Sequence, residues 1–435
     1  MGHASYTDTE QHPQMSRRKR AWLLIRAFRR RPRVVLALLG PGIIAGASDN
    51  DPTTVASLAV IGSTTRYGLA WLVILIIPML IVVQSVSAAV GTVARTGLED
   101  AIRSRYGRMW AMVAMLSILA VNLVTLAADL DGGAAALGLL TGASYRWFVI
   151  PLAVVVVVTL VWGSYSGLER ILRWALLIFA MYIVAAFLAR PDWGDVLRHT
   201  LVPSFRFTPA YVSGAVALLG TTLTSYAYVW ETIEEGAEKP PLRRLGLVQA
   251  DAGLGMVISG LLFWFILIGT GATLGVHHQQ AQTAQDAARA LAPVAGRFAD
   301  AIFGLGLLAS AVLAVPVLAG TSAYVLAEAF GWRRNLDATF ARAPRFYIAM
   351  VLCLAFGVVL ALIGVGPIQL LFASSVIAGL ATPITLILMM LIARDPQVMR
   401  SHRIGRDLAI AGGIVTAIVV VACVIFLAQT ILSAM

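Results

Sequence analysis

The residues best equipped for chemistry stand together in Asp49-Asn50-Asp51-Pro52-Thr53-Thr54, inside the otherwise apolar stretch 36–62. A carboxylate at the centre of a membrane helix costs about 2.5–3.5 kcal/mol on insertion scales, so acids in such a place point to function. Pro52 has no backbone N–H to donate and disfavours helix in the residues before it. A helix is therefore expected to stop here and restart with Asp51 as its N-cap and Pro52 at its first position. Asp51 then reads in two ways, as that cap alone or as a ligand. A neutral Ser or Asn would cap at lower cost, and carbonyls freed by the break next to carboxylates suit a hard cation.

A second polar cluster is Gly220-Thr221-Thr222-Leu223-Thr224-Ser225-Tyr226, followed by Glu231. Ser and Thr can bond back to their own helix, so alone this run is ambiguous. A third holds Asp129 and Asp131 in Ala127-Ala128-Asp129-Leu130-Asp131-Gly132-Gly133. These two acids either face a vestibule or sit at the outer end of a helix, and the interfacial position is expected. None of the six His lies inside an apolar stretch. That argues against His-based proton relays, haem ligation and most intramembrane metal catalysis. His277-His278 reads as a polar loop pair or an outer metal clamp. No phosphate-binding loop and no nucleophile–base pair is found, so neither catalytic residues nor a cofactor are expected, and the chain does not read as an enzyme. Cys353 and Cys423 fall within apolar stretches and read as packing residues.

The elements that must position these groups follow from composition. Of 435 residues, 59% are hydrophobic and 13% charged, where a soluble chain has about a quarter charged. Mean hydropathy is +0.84. Eleven blocks approach the roughly 20 residues that a membrane helix needs: 36–62, 67–90, 109–128, 147–164, 174–189, 211–231, 251–275, 301–327, 346–364, 368–393 and 408–432. The predicted fold is all-α, one membrane domain over 36–435 behind a basic cytoplasmic tail at 1–35. With the N-terminus inside, 26 of the 33 Lys and Arg fall on inner segments, so the C-terminus is expected outside. The net charge of +11 thus reads as topology rather than nucleic-acid binding, and the Arg17-Arg18-Lys19-Arg20 run as a topology signal or an anionic-lipid contact. No cleavable signal peptide is expected. The lipid bilayer is the partner expected, with no obligate protein partner.

The clusters in the first and sixth spans lie five spans apart. Interrupted helices at corresponding places in two halves mark an inverted-repeat transporter with its site where the breaks meet. The expected layout is five plus five plus one: a repeat over about 36–190, another over about 207–393, and an extra helix at 408–432.

At these breaks the sequence resembles the Nramp (natural resistance-associated macrophage protein) family of divalent-metal transporters. Gly40-Pro41-Gly42 precedes Asp51-Pro52-Thr53-Thr54 as the family's Gly-Pro-Gly precedes its Asp-Pro-Gly-Asn. Gly220 to Tyr226 aligns with its Gly-Ala-Thr-Val-Met-Pro-His, and Ser374-Ser375-Val376-Ile377 followed by Pro383 looks like its Ser-Gln-Val-Ile…Pro run. The resemblance implies a LeuT-type fold and a metal site of Asp51, Thr54, the Thr221 carbonyl, Thr224, Ser225, Tyr226 and Ser375, with Asp49 as an added carboxylate.

The departures carry chemistry. The ligand Asn becomes Thr54, the sulfur-bearing Met becomes Thr224, the first sixth-helix His becomes Tyr226, the second falls at Glu231, and the span-ten Gln becomes Ser375. That pattern looks like the family's divergent bacterial magnesium branch. Thioether sulfur favours transition metals, whereas carboxylate, hydroxyl and water suit Mg²⁺, which keeps several waters. A carrier of hydrated Mg²⁺ that also accepts Mn²⁺ is expected, in a bacterial inner membrane. The alternatives are a proton-coupled Mn/Fe transporter of the same family and a LeuT-fold carrier of amino acids or organic cations. With no His in a span, coupling to protons would fall to Glu231, Asp129 or Asp131, and weak or absent coupling is expected.

Overall fold

A computed structural model describes residues 50–162, 181–239, 241, 242, 245–291, 296–333 and 342–434. The basic tail, Gly40-Pro41-Gly42 and Asp49 lie outside these residues, as do 163–180 at the ends of spans four and five. The described residues are helical, without a strand. Eight helices are long and apolar enough to cross a membrane, and Arg146–Leu160 is a shorter apolar one. Spans two, three and six to eleven are accounted for by the eight and span four by the shorter helix. Residues 181–188 of span five are helical, and span one is described from its break onward.

Span one restarts as predicted. Asp51 is the N-cap of helix Pro52–Thr65, Pro52 takes the first position, and the Asp51 side chain accepts from the Thr54 N–H. Span six is two half-helices, Pro209–Thr222 and Ser225–Glu238, with Leu223 and Thr224 out of helical register between them. The most apolar stretch of span six is 83% buried and that of span eleven 22%, which makes the broken helix central and the extra one peripheral.

Span three differs from expectation. It is a single helix, Arg108–Thr141, and passes through Gly132 and Gly133 instead of ending near residue 128. Those glycines allow close approach. A Cβ on Gly132 would stand 3.2 Å from Pro52 and Leu371, and one on Gly133 would stand 2.7 Å from Ala311 and Leu152. Span three is thereby drawn onto the break of span one and onto spans four, eight and ten. Gly220 does the same for span six. A Cβ there would come within 2.1 Å of the Ser375 carbonyl and 2.2 Å of the Gly379 nitrogen, so Ala at this position would push span six off span ten.

A short polar helix, Leu98–Tyr106, joins spans two and three. It is held by the ends of other spans. Its Leu98 N–H donates to Thr232 of span six, Arg103 donates to the Glu328 carbonyl of span eight, and Arg105 pairs with Asp395 beyond span ten at 2.5 Å.

Candidate metal site

The residues that open the span-one half-helix are held by spans three, six, seven and eight. The Asn50 carbonyl accepts from Ser310 of span eight at 2.5 Å, and the Asn50 amide donates to Ser259 of span seven at 3.5 Å. Asp51 Oδ1 takes the Thr54 N–H at 2.7 Å, and Oδ2 accepts from the Tyr226 hydroxyl of span six at 2.9 Å. Thr53 gives both its N–H, at 3.2 Å, and its hydroxyl, at 2.6 Å, to Asp129 Oδ1 of span three. Thr54 shares a hydrogen bond with Thr221 at 2.8 Å, and Ser57, one turn on, shares one with Ser375 of span ten at 2.7 Å. Asp51, Thr54, Thr221, Tyr226 and Ser375 are all buried.

Thr224 and Ser225 open the second half of span six. Their hydroxyls are buried and lack hydrogen-bond partners among the described residues. They follow the last turn of Pro209–Thr222, whose carbonyls, Thr221 among them, have run out of helical N–H donors. Hydroxyls, carbonyl ends and a carboxylate thus converge between the broken helices. No three His, Cys, Asp or Glu side chains among the described residues group as a metal centre. A Mg²⁺ site does not require such a group, because one or two carboxylates with waters suffice.

Asp129 and Asp131 correct the expectation of interfacial acids. Both are fully buried, well inside Arg108–Thr141. Asp129 belongs to the span-one break through Thr53, and its Oδ2 has no hydrogen-bond partner among the described residues. Asp131, two residues on, points about 200° around the helix from Asp129 and has neither oxygen partnered there. Glu231 is half-buried, two turns into Ser225–Glu238, on a helix that also carries Glu234, Glu235 and Glu238. Thr53, Ser57, Ser259 and Ser310 were not singled out from sequence. Ser57 had a signal, since it lies on the face of Thr53 and Thr54 at helical spacing, and Ser310 is the lone polar residue of Leu307-Leu308-Ala309-Ser310-Ala311-Val312.

Membrane-crossing helices around an interrupted sixth span, with a carboxylate-capped helix starting beside that interruption, define an inverted-repeat transporter. The backbone agrees with two solved transporters. The manganese transporter of Eremococcus coleocola superposes with a TM-score of 0.69 at 18% identity, covering 91% of this chain and 86% of that one. An inward-facing structure of Mhp1 superposes with a TM-score of 0.52 at 15% identity, covering 87% of this chain and 91% of that one. The chain belongs to the Nramp family, whose description is natural resistance-associated macrophage protein-like and whose family model matches residues 42–429. The divalent metal cation transporter MntH of Deinococcus radiodurans is 27% identical over 410 residues, 89% of this chain and 88% of that relative. The protein is a multi-pass membrane transporter and not an enzyme.

Proposed function

We propose that this chain is a carrier of divalent cations by alternating access, with hydrated Mg²⁺ as cargo and Mn²⁺ also accepted. The observation that supports this most is the donor set between the broken helices. Asp51 stands there among Thr54, Thr221, Thr224, Ser225 and Tyr226, with Ser375 joined through Ser57, and Thr224 holds the place the family gives to a thioether. Oxygen ligands without sulfur favour Mg²⁺ over softer ions. A cation reaching Asp51 Oδ2 exchanges the Tyr226 hydroxyl for the ion or one of its waters. The carrier is assigned to a bacterial inner membrane with its N-terminus cytoplasmic, on the strength of the 26 inner Lys and Arg. Asp49 remains a proposed second carboxylate.

Two charges crossing an inside-negative potential gain about 4.6 kcal/mol per 100 mV, so accumulation does not need a proton partner. A second reading, proton-coupled transport, is favoured by Asp129. The expectation of weak coupling took the span-three acids to be interfacial, yet Asp129 lies buried beside the break with one oxygen unpartnered among the described residues. Purified protein in liposomes, with a Mg²⁺ gradient and an internal pH dye, separates the readings. Mg²⁺ entry without acidification supports the first, and acidification that tracks Mg²⁺ and vanishes in Asp129→Asn supports the second. Absence of Mg²⁺ uptake alongside brisk Cd²⁺ uptake would refute the hard-ligand reading. Thr224→Met should shift preference toward Mn²⁺ or Cd²⁺ in the same assay.

A further inference from the structure

On the loop between spans five and six, a cavity of about 360 Å³ is lined by Arg198, His199, Val202, Ser204 and Arg206. Its size is that of a small-ligand site, which typically spans about 300–1,000 Å³. Its walls are built. The helix Trp193–Leu201 is capped by Asp192 and seated by its buried Val196 and Thr200, the latter accepting from the Trp264 indole at 3.1 Å. Ser204 donates to the Gly68 carbonyl at 3.4 Å, and the Tyr211 hydroxyl donates to the Ser204 carbonyl.

The charge of the cavity is not balanced from within. Asp195 is taken by Arg66 at 3.6 Å and by His199 Nδ1 at 3.1 Å, and Asp192 is spent on the N–H groups of Gly194 and Asp195. Arg198 and Arg206 have no acid within ion-pair distance among the described residues. Arg198 and His199 lie in the last turn of their helix, where cations complement its dipole. Arg206 lies five residues beyond the helix, and the dipole does not account for it.

The surface beside the cavity is apolar. Leu201, Phe205 and Phe207 are 74%, 71% and 74% exposed, and Leu197 and Val202 extend the same strip. Leu197 and Leu201 are on the helix and Val202, Phe205 and Phe207 follow it; an apolar strip of this kind suits the membrane interface, as do Trp71, Trp193 and Trp264 beside it, because aromatic residues are enriched there.

We propose that this cavity binds the headgroup of an anionic phospholipid in the leaflet it faces, with Arg198 and Arg206 on the phosphodiester and the acyl chains along the Leu201–Phe207 strip. A free phosphate would satisfy the arginines and leave that strip uncovered. A zwitterionic lipid would bring an ammonium to a site with no uncommitted carboxylate. The assignment holds whichever cation the protein carries.

The test uses full-length protein, stripped of lipid in detergent, titrated with phosphatidylglycerol, phosphatidylcholine or inorganic phosphate and read by native mass spectrometry and melting temperature. Phosphatidylglycerol is expected to bind and raise the melting temperature, with binding at least fivefold weaker in Arg198→Gln/Arg206→Gln. Both arginines are exposed, so the double variant should melt with wild type when no lipid is added. Arg206→Gln alone, outside the helix, should show part of the loss and covers the case of a double variant that folds poorly. Equal phosphatidylglycerol binding in wild type and the variants would overturn the proposal. So would phosphatidylcholine binding as well as phosphatidylglycerol, or inorganic phosphate stabilising as much as the lipid.

Discussion

Two helices in this molecule begin against a carboxylate sent from another span. At the span-one break, Asp129 Oδ1 takes the N–H of Thr53, and at the connecting helix Leu98–Tyr106, Glu328 Oε2 of span eight takes the N–H of Asp100 at 3.3 Å. In both, a negative group meets the N-terminal dipole and a donor that the helix cannot satisfy itself. They differ in the acid the helix itself supplies. Asp51 has both oxygens partnered, by Thr54 and Tyr226. Glu99, fully buried, has neither oxygen partnered among the described residues. A carboxylate that is partnered by donors on two spans is ready to hold a cation between them. One that is not partnered is an unfavourable charge, and burial, then Glu328, then Asp100, pushes the Glu99 carboxyl well above its ordinary range. On the proposed function the first helix start holds cargo, while the second is a fastening, reinforced by Arg103 capping the end of span eight in return.

The largest effect should come from Asp51→Asn. Asn caps a helix as well as Asp does, so stability should change by less than about 1 kcal/mol. The charged ligand is lost, worth about 2–3 kcal/mol, and uptake in liposomes should fall on the order of a hundredfold. Wild-type uptake in a variant with an unchanged melting temperature would remove Asp51 from the site and leave it as a cap, which would make the two helix starts alike.

Gly97→Ala strikes the other start. The Gly97 backbone is extended, so Ala is tolerated there, but its Cβ would stand 2.2 Å from Glu328 Oε1 and displace the carboxylate. The loss of one cap costs about 0.5–2 kcal/mol. Hydrogen exchange over residues 98–106 should accelerate while that over Pro52–Thr65 stays as it was. Unchanged exchange at 98–106 would show that Arg103, Arg105 and Thr232 fasten this helix without Glu328.

Much of the membrane-depth arrangement was legible. Pro52 after Asp51 dictates both the break and the cap, and Thr54, Thr221 and Tyr226 lie where two interrupted spans must meet. Asp129 was misplaced because Gly132-Gly133 reads as the end of a helix, whereas each of those glycines faces a neighbouring span that a side chain would block. Ser310 and Ser259 carry no pattern of their own, and their roles exist only once spans seven and eight are packed. The connecting helix was missed altogether. Nothing local to Glu99 signals a buried carboxyl.

Glu99 also gives a pH dependence. Its folded-state pKa is raised above the unfolded value of about 4.3, so its contribution to stability is present below that value and is lost as pH rises through the folded pKa. Glu99→Gln keeps the shape without the charge. Wild type should lose melting temperature as pH rises above the ordinary carboxyl range, and the variant should lose less, surpassing wild type at the alkaline end. Identical pH profiles would mean that Glu99 does not ionise in this range, and the contrast with Asp51 would then rest on partners alone.

The smallest effect tests how alike the two borrowed caps are. Asp129 receives a hydroxyl as well as an N–H from Thr53, and the Glu328 carboxylate receives the Asp100 N–H. Thr53→Ala removes the 2.6 Å hydroxyl bond and leaves the N–H, so that residue 53 meets the borrowed carboxylate through its backbone alone. A hydrogen bond to a charged acceptor contributes about 1.5–3 kcal/mol, and the N–H that stays keeps the loss at the low end. Uptake should fall severalfold, well short of Asp51→Asn, and Thr53→Ser should restore it. A Thr53→Ala loss as deep as that of Asp51→Asn would give Asp129 a part in holding the cation, through a hydroxyl that fixes its carboxylate. No loss at all would reduce the hydroxyl to redundancy.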